Sequence, residues 1–357
     1  MNDFGFRSVI GHGDVIRHLK RAIRTDHVNH AYLLTGDALS GKRTIADALA
    51  AALLCDTVRP RLQAEASGPS AGPAELSDGE TDACGICPSC KKARSRNHPD
   101  IIYVTHEKPA VISVQEIREQ VVGTAGILPY EGGRKVYIIP DAEKMTVQAQ
   151  NALLKTIEEP PAYVVVILLS VTQEALLPTI LSRCVKLTLL PVPDRLIRRY
   201  LEEELKLPDY EAGKLAAFAQ GNVGRAKEAA LDPEAEERRN STLDILKRIG
   251  GMDAARIAET ARTLKEDKAH IDEILDMMLM FFRDVFLCKA SGDESSLIFR
   301  DEFSLVRSTA EAVSYGTLHH IFSELDRARV RLLANVNFEL TMENLLFAVK
   351  EGTERSS

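Results

Sequence analysis

The sequence lacks several features that would place it in a special class of protein. It contains no tryptophan, no apolar stretch long enough to cross a membrane, and no signal-peptide character in its opening Met-Asn-Asp-Phe-Gly. It also lacks an excess of positive charge: a net charge of -7 argues against a generally basic surface that coats nucleic acid, although a local basic patch is compatible with it. These absences predict a soluble protein of the cytoplasm.

A disulfide framework is not expected either. The six cysteines are unevenly clustered, which suits a reducing cytoplasm better than structural disulfides. The chain does contain 45% hydrophobic and 27% charged residues, as globular proteins do. Its 357 residues exceed what one hydrophobic core usually supports, so two or three domains are expected.

The first half of the chain alternates between strand and helix patterns. Apolar or β-branched runs predict strands at 31–35, 100–104, 134–139, 163–169 and 185–189. Between them, amphipathic patterns predict helices at about 13–24, 42–54, 113–122, 144–158 and 173–181. This alternation is typical of an α/β domain whose parallel sheet has helices on both faces.

Strand patterns end near residue 190, and the remainder of the chain has helical patterns. We therefore predict an α/β domain over 1–190, a small helical domain over 191–240 and a second helical domain over 241–357. One segment of the first domain, 60–81, is rich in Ala, Ser, Gly, Pro and Glu and has no periodicity. That composition predicts a disordered insertion.

A glycine-rich loop follows the first predicted strand. The run Gly36-Asp-Ala-Leu-Ser-Gly41-Lys42 lies between that strand and an alanine-rich helix, which is the setting of a phosphate-binding P-loop. The next position normally carries the Ser or Thr that binds magnesium, but here it is Arg43. Thr44 lies one place late, about 100° further around the helix, and cannot simply replace it. Nucleotide binding without hydrolysis therefore stays open.

Hydrolysis also requires an acidic pair at the end of an inner strand, because one carboxylate holds magnesium and the other polarises water. In the candidate strand, Pro140 occupies the position of the metal-holding Asp, and Asp141 occupies that of the base. We favour a simpler interpretation of Asp141 and Glu143, as acids stabilised at a helix N-terminus. Hydrolysis by this chain alone is not expected.

Three cysteines in Cys84-Gly-Ile-Cys87-Pro-Ser-Cys90 have a spacing of three residues, which lets their thiols converge on one tetrahedral ion. A structural zinc takes four protein ligands, and Cys55 is the preferred fourth candidate, with His98 as the alternative. The other interpretation is a redox pair or unliganded thiols, which explains the spacing less well.

A further motif, Ser182-Arg183-Cys184, lies between a predicted helix and the last predicted strand. Taken alone, Arg183 is equally well explained as a cation that satisfies carbonyl groups at a helix end. The order of motifs along the chain adds information. The P-loop and the cysteines are followed by Asn97-His98-Pro99-Asp100, by a helix with the sequence Asn151-Ala-Leu-Leu-Lys-Thr-Ile-Glu-Glu-Pro-Pro161, and by Ser-Arg-Cys.

This order resembles the AAA+ subunits of bacterial DNA polymerase III clamp loaders. The resemblance is strong over about residues 6–190 and rests on architecture alone beyond them. The helix string and Ser-Arg-Cys are highly specific to that family, whereas the P-loop is not. The implied fold is an AAA+ P-loop parallel-sheet domain with an inserted zinc module at about 55–98, a small helical lid, and an all-α C-terminal collar that oligomerises the subunits.

The resemblance also implies the site residues. A structural zinc would bind Cys55, Cys84, Cys87 and Cys90, and the degenerate P-loop would comprise Gly36, Gly41, Lys42 and Thr44. Arg183, next to Ser182, would enter the ATP site of a neighbouring motor subunit as an arginine finger in trans. The segment Gly221-Asn-Val-Gly-Arg225 lies near the position at which the motor subunits carry a second sensing arginine, with imperfect spacing, or is only the start of a helix.

Two subunit types of this family carry both the zinc module and Ser-Arg-Cys. The gamma/tau motor subunit keeps a complete nucleotide site, whereas the delta prime subunit has a degraded one. Arg43 and Pro140 make this chain similar to delta prime, and the absence of a long C-terminal extension disfavours tau. The implied partners are the delta and gamma/tau subunits, with the sliding clamp and primer-template DNA reached through the complex.

Two alternatives remain from the sequence. The chain could be the ATP-hydrolysing motor subunit, if a local register shift lets Thr44 and Asp141 bind magnesium. It could instead be a zinc-bearing AAA+-like adaptor that has no role in replication.

Overall fold

The structure, a computed structural model, describes residues 4–58, 81–131, 133–292, 297–334 and 336–353. The insertion predicted at 60–81 lies outside these residues apart from Thr81. The chain folds into two compact units, Met1–Glu228 and Ala229–Ser357. The finer division of the first unit at residue 190 stays a prediction.

A five-stranded parallel sheet forms the centre of the first unit in the described part of the chain. Its strands are β1 (Ala31–Thr35), β2 (Ile101–Tyr103), β3 (Lys135–Ile139), β4 (Val164–Ser170) and β5 (Val185–Thr188). Their order across the sheet is β2-β3-β4-β1-β5, so β1 pairs with β4 on one side and β5 on the other. The predicted α/β fold class is confirmed.

The central strands β1, β3 and β4 are largely apolar because helices cover both faces of the sheet. Every residue of β1, β3 and β4 is buried. One face packs against the helices that flank the P-loop, and the other packs against the helix that precedes β4. The carboxyl ends of the strands therefore meet at one edge, where the loop after β1 lies.

Within its described residues, the first unit contains the helices α1 (Gly13–Arg24), α2 (Lys42–Leu54), α3 (Pro88–Arg94), α4 (Val114–Ile117), α5 (Val147–Glu158), α6 (Pro178–Leu181), α7 (Asp194–Glu203), α8 (Asp209–Ala219) and α9 (Val223–Leu231). Helix α4 continues through a π-helical turn, Arg118–Val122, into the short helix Gly123–Ala125. The last residues of α9 belong to the second unit.

The helix expected at 173–181 is wrong over its first half, because it begins only at Pro178. A side chain from α5 explains the irregular segment before it. Gln150 donates from Nε2 to the Ala175 carbonyl (3.0 Å) and accepts the Leu177 N–H at Oε1 (2.7 Å). These two bonds satisfy backbone groups that would otherwise favour a helix.

The second unit is helical, as expected. Its further helices are α10 (Ala235–Arg248), α11 (Ala254–Glu266), α12 (Ile271–Ser291), α13 (Phe303–Ala312), α14 (Tyr315–Leu333) and α15 (Phe338–Thr353). Its core surrounds α12, whose Phe281 and Phe282 are buried. Among the described residues, no helix is long and apolar enough to cross a membrane.

Candidate nucleotide site, cysteine cluster and arginine

The glycine-rich loop joins β1 to α2, as predicted. Gly36 and Gly41 have φ values of 150° and 95°, in the range that favours glycine. A Cβ atom on Gly36 would lie 2.9 Å from the carbonyl oxygen of Leu189, so a larger residue would displace backbone. The loop therefore has the location and the glycine geometry of a P-loop.

Lys42 is bound to the loop itself. Its Nζ donates to the carbonyl oxygens of Gly36 and Asp37, each at 2.6 Å. Burial lowers the pKa of Lys42, and the carboxylates of Glu143, Asp37 and Asp141 oppose that shift. A nucleotide phosphate would have to compete with two backbone carbonyls for this ammonium group.

Two other parts of the first unit contact the same loop. His12 Nε2 lies 3.0 Å from the carbonyl oxygen of Ser40, and Asn222 donates from Nδ2 to that of Ala38 (2.7 Å). A Cβ atom on Gly224 would lie 2.4 Å from the carbonyl oxygen of Leu39, so this close contact requires glycine.

The segment that carries Asn222 is the start of helix α9. The Oδ1 atom of Asn222 accepts the N–H of Arg225 at 3.1 Å, which is the hydrogen bond of a helix N-cap. The sequence suggested a helix start at this position but did not predict the contact with the P-loop.

Arg43, at the position of the missing hydroxyl, packs toward the edge strand β2. Its guanidinium carbon lies 5.4 Å from the centre of the Tyr103 ring, and that of Arg96 lies 5.8 Å from the same centre. The Tyr103 hydroxyl donates to Asp47 at 2.9 Å. The side chain of Thr44 is exposed. The first turn of α2 therefore carries a cation–π contact where a magnesium ligand is expected in an active site.

The acidic residues after β3 are bound within the chain. Asp141, with φ of 50°, precedes a 3₁₀ turn at Ala142–Lys144 and accepts Lys144 Nζ at 3.0 Å. Glu143 accepts the hydroxyl of Ser170 at 2.9 Å and the N–H of Val171 at 3.3 Å. Pro140 offers no carboxylate at the position of the metal-holding acid.

Four cysteines converge, as expected. The Sγ atoms of Cys55, Cys84, Cys87 and Cys90 all lie within 4.8 Å of one another. Two of them, those of Cys84 and Cys90, lie 3.9 Å apart. A tetrahedral zinc with Zn–S bonds of about 2.3 Å needs sulfur–sulfur distances of roughly 3.8 Å. The donor set and its spacing fit a structural zinc.

Backbone amides in the cysteine cluster point at the sulfur atoms. The N–H groups of Cys84, Cys87 and Cys90 donate to the Sγ atoms of Cys55, Cys84 and Cys87, at 3.5, 3.4 and 3.4 Å respectively. The hydrogen bond with the Cys90 thiol lowers the pKa of Cys55. The same hydrogen bond raises the pKa of Cys90, and burial raises the pKa of Cys87. The amide donors favour thiolates at the sulfur atoms they contact, and the thiolate is the form that binds metal.

His98, the alternative fourth ligand, lies outside the cluster. Because Ser89 donates its hydroxyl to the Leu54 carbonyl (2.6 Å), the 2.9 Å contact of Ser89 Oγ with His98 Nε2 requires the histidine to donate. Its Nδ1 accepts the Asp100 N–H at 3.1 Å. Both ring nitrogens therefore have partners within the chain, Nε2 on α3 and Nδ1 on the segment before β2, and none is left for a metal.

Arg183 follows α6 and precedes β5, at the surface, with 39% of its side chain exposed. Its Nη1 donates to the Thr179 carbonyl (3.1 Å) and to Ser182 Oγ (3.2 Å), and its Nη2 lies 2.9 Å from Glu158 Oε1. The helix-end carbonyl contact expected from the sequence is present. The ion pair with Glu158 was not predicted, because no local pattern brings the end of α5 to this loop.

Comparison with known proteins identifies the family to which the chain belongs. A family model described as "DNA polymerase III, delta subunit" matches residues 11–68 and 74–193, and its C-terminal counterpart matches 233–351. A protein named DNA polymerase III subunit delta′ from Bacillus subtilis is 29% identical over 344 residues, which cover 95% of this chain and 96% of that one. The chain belongs to the DNA polymerase III delta′ family.

Relatives with shorter matches are of two kinds. The delta′ subunit of Pseudomonas aeruginosa is 40% identical over 164 residues, which cover 46% of this chain and 43% of that protein. The tau/gamma subunit of Haemophilus influenzae is 30% identical over 223 residues, 61% of this chain but only 29% of that protein.

Proposed function

We propose that this chain is a non-hydrolysing AAA+ subunit of a clamp loader, acting in the cytoplasm. In this proposal it supplies Arg183 in trans to the ATP site of a neighbouring motor subunit. Its partners are the delta and gamma/tau subunits, and through the complex it helps to load the sliding clamp onto primer-template DNA.

The observation that carries the proposal is the state of the nucleotide site. Arg43 packs on Tyr103, Pro140 replaces an acid, and Lys42 is bound to two carbonyls of its own loop. Hydrolysis needs a magnesium ion held between the phosphates and the protein. The described residues offer neither of the usual protein ligands for that ion, so a role without turnover is favoured.

The exposure and chemistry of Arg183 support the second part of the proposal. A planar guanidinium offers several donors in a fixed arrangement that suits phosphate oxygens, and it stays charged at any physiological pH. Arg183 lies at the surface, on a loop between α6 and β5, where a partner subunit can reach it. Placed against a γ-phosphate, it would offset negative charge that develops in the transition state.

A structural zinc in the cysteine cluster completes the proposal. Its role would be to fix α3 and the residues just before it against the end of α2, because thiolates from both segments would share one ion. No catalytic step depends on it. Binding of ATP to Lys42 and the loop amides is compatible with the loop but is not required for this function.

Two measurements test the proposal. Co-purification with delta and gamma/tau subunits would be expected, and failure to bind both would favour an adaptor outside replication. ATP turnover by the purified chain separates this proposal from a motor role, in which Thr44 and Asp141 would hold magnesium. That role is disfavoured because Asp141 is already paired with Lys144.

A further inference from the structure

The guanidinium of Arg183 is already occupied within its own chain. Nη2 lies 2.9 Å from Glu158 Oε1, and Nη1 donates to Thr179 O and to Ser182 Oγ. Of these three acceptors, only Glu158 carries a charge. A phosphate from another subunit would have to take Arg183 from this carboxylate, because both bind the same cation.

The position of Glu158 at the end of α5 determines where its carboxylate lies. It lies in the last turn of α5, just before Pro160 and Pro161, so the end of the helix fixes where its carboxylate reaches. Its neighbour Glu159 is the C-cap residue, and in the described residues its side chain has no ion pair. The chain thus places two adjacent exposed glutamates at this helix end, of which one contacts Arg183.

We propose that Glu158 is a latch that holds Arg183 on its own subunit until the phosphate of a neighbouring site displaces it. The latch rests on the proposed function of Arg183 as an arginine finger. While the ion pair is intact, the carboxylate offsets the positive charge that the finger would provide. When Arg183 moves to phosphate, that charge becomes available to the reaction.

The expected strength of the latch is small. Both partners are about two-fifths exposed, 39% for Arg183 and 43% for Glu158, so water screens their attraction. Exposed ion pairs of this kind typically shift an equilibrium by roughly 1.5- to 5-fold. An arginine finger contributes roughly 10³ to 10⁵ in rate. The latch can therefore restrain premature engagement without preventing catalysis.

The first test uses the full chain alone and does not depend on ATP hydrolysis. Phenylglyoxal modifies accessible arginines, and mass spectrometry of the Arg183 peptide reports the rate at that residue. We expect Glu158→Gln to raise this rate by roughly 1.5- to 5-fold, since the ion pair is lost. The control variant Glu159→Gln should leave it unchanged. Equal rates in wild type and Glu158→Gln would overturn the latch.

The second test uses loader complexes reconstituted with each variant. Glu158→Gln should raise DNA-stimulated ATPase, by at most about 5-fold, and should have no effect in an Arg183→Ala background. A fall in ATPase that Glu158→Asp restores would show that Glu158 supports the finger rather than restrains it, and would overturn the proposal. If Arg183→Ala alone leaves the ATPase rate unchanged, Arg183 is not an arginine finger and the proposed function fails. The phenylglyoxal rates test the ion pair with Glu158 separately, so the two failures can be distinguished.

Discussion

Asn222 offers a direct test of the contact between α9 and the P-loop. Asn222→Ala removes two hydrogen bonds, the cap to the Arg225 N–H at 3.1 Å and the bond to the Ala38 carbonyl at 2.7 Å. Loss of an N-cap costs about 1 kcal/mol. Because Ala38 is exposed, water can replace the second bond, whose net contribution is then about 0.5–1.5 kcal/mol. We expect the free energy of unfolding to fall by about 1.5–2.5 kcal/mol in total.

Urea unfolding followed by far-UV circular dichroism measures this loss, since the chain has no tryptophan to report by fluorescence. Two compact units require that separate transitions be fitted rather than one. Asn151→Ala, at an exposed position of α5, is the control and should change stability by less than about 0.5 kcal/mol. An Asn222→Ala variant as stable as this control would refute the conclusion that the hydrogen bonds of Asn222 stabilise the contact between α9 and the P-loop.

Three further outcomes are expected. The purified chain should carry one zinc, lost in Cys87→Ser but kept in Cys184→Ser; metal analysis that finds zinc retained by the first variant would argue against the cluster. ATP hydrolysis should stay at background in the wild type and in Lys42→Ala, and robust turnover abolished by that substitution would favour a motor role. Gly224→Ala should lower the free energy of unfolding by about 1–3 kcal/mol, because its Cβ would meet the Leu39 carbonyl at 2.4 Å. The control Gly213→Ala, which has open space around the new Cβ, should not lower it. Equal urea midpoints for the two variants would contradict the close contact at Gly224.

The sequence was sufficient for features set by local pattern. The apolar runs of β1 and β4 predicted buried parallel strands, and the spacing of Cys84, Cys87 and Cys90 predicted convergent thiols. The missing hydroxyl at Arg43 likewise follows directly from its place after Lys42.

Contacts between distant segments could not be predicted in the same way. The irregular segment before α6 is held by Gln150, a side chain more than twenty residues away, whereas Pro178 marks the start of the helix locally. The contact of Asn222 with Ala38 joins residues 184 positions apart, and nothing in either local pattern indicates the other. His98 was a reasonable metal ligand by residue type, and only its hydrogen bonds in the fold exclude it.

The measurement that tests the central claim most directly is the DNA-stimulated ATPase of loader complexes reconstituted with wild-type, Arg183→Ala or Arg183→Lys chain. The account predicts intact assembly by gel filtration but slower ATPase and clamp loading in Arg183→Ala. The drop should be smaller than the roughly 10³- to 10⁵-fold effect of a finger at its own site, because one of several sites is affected. Lysine should rescue poorly, since it lacks the planar fork. Equal rates for all three complexes would show that Arg183 is structural and would contradict the account.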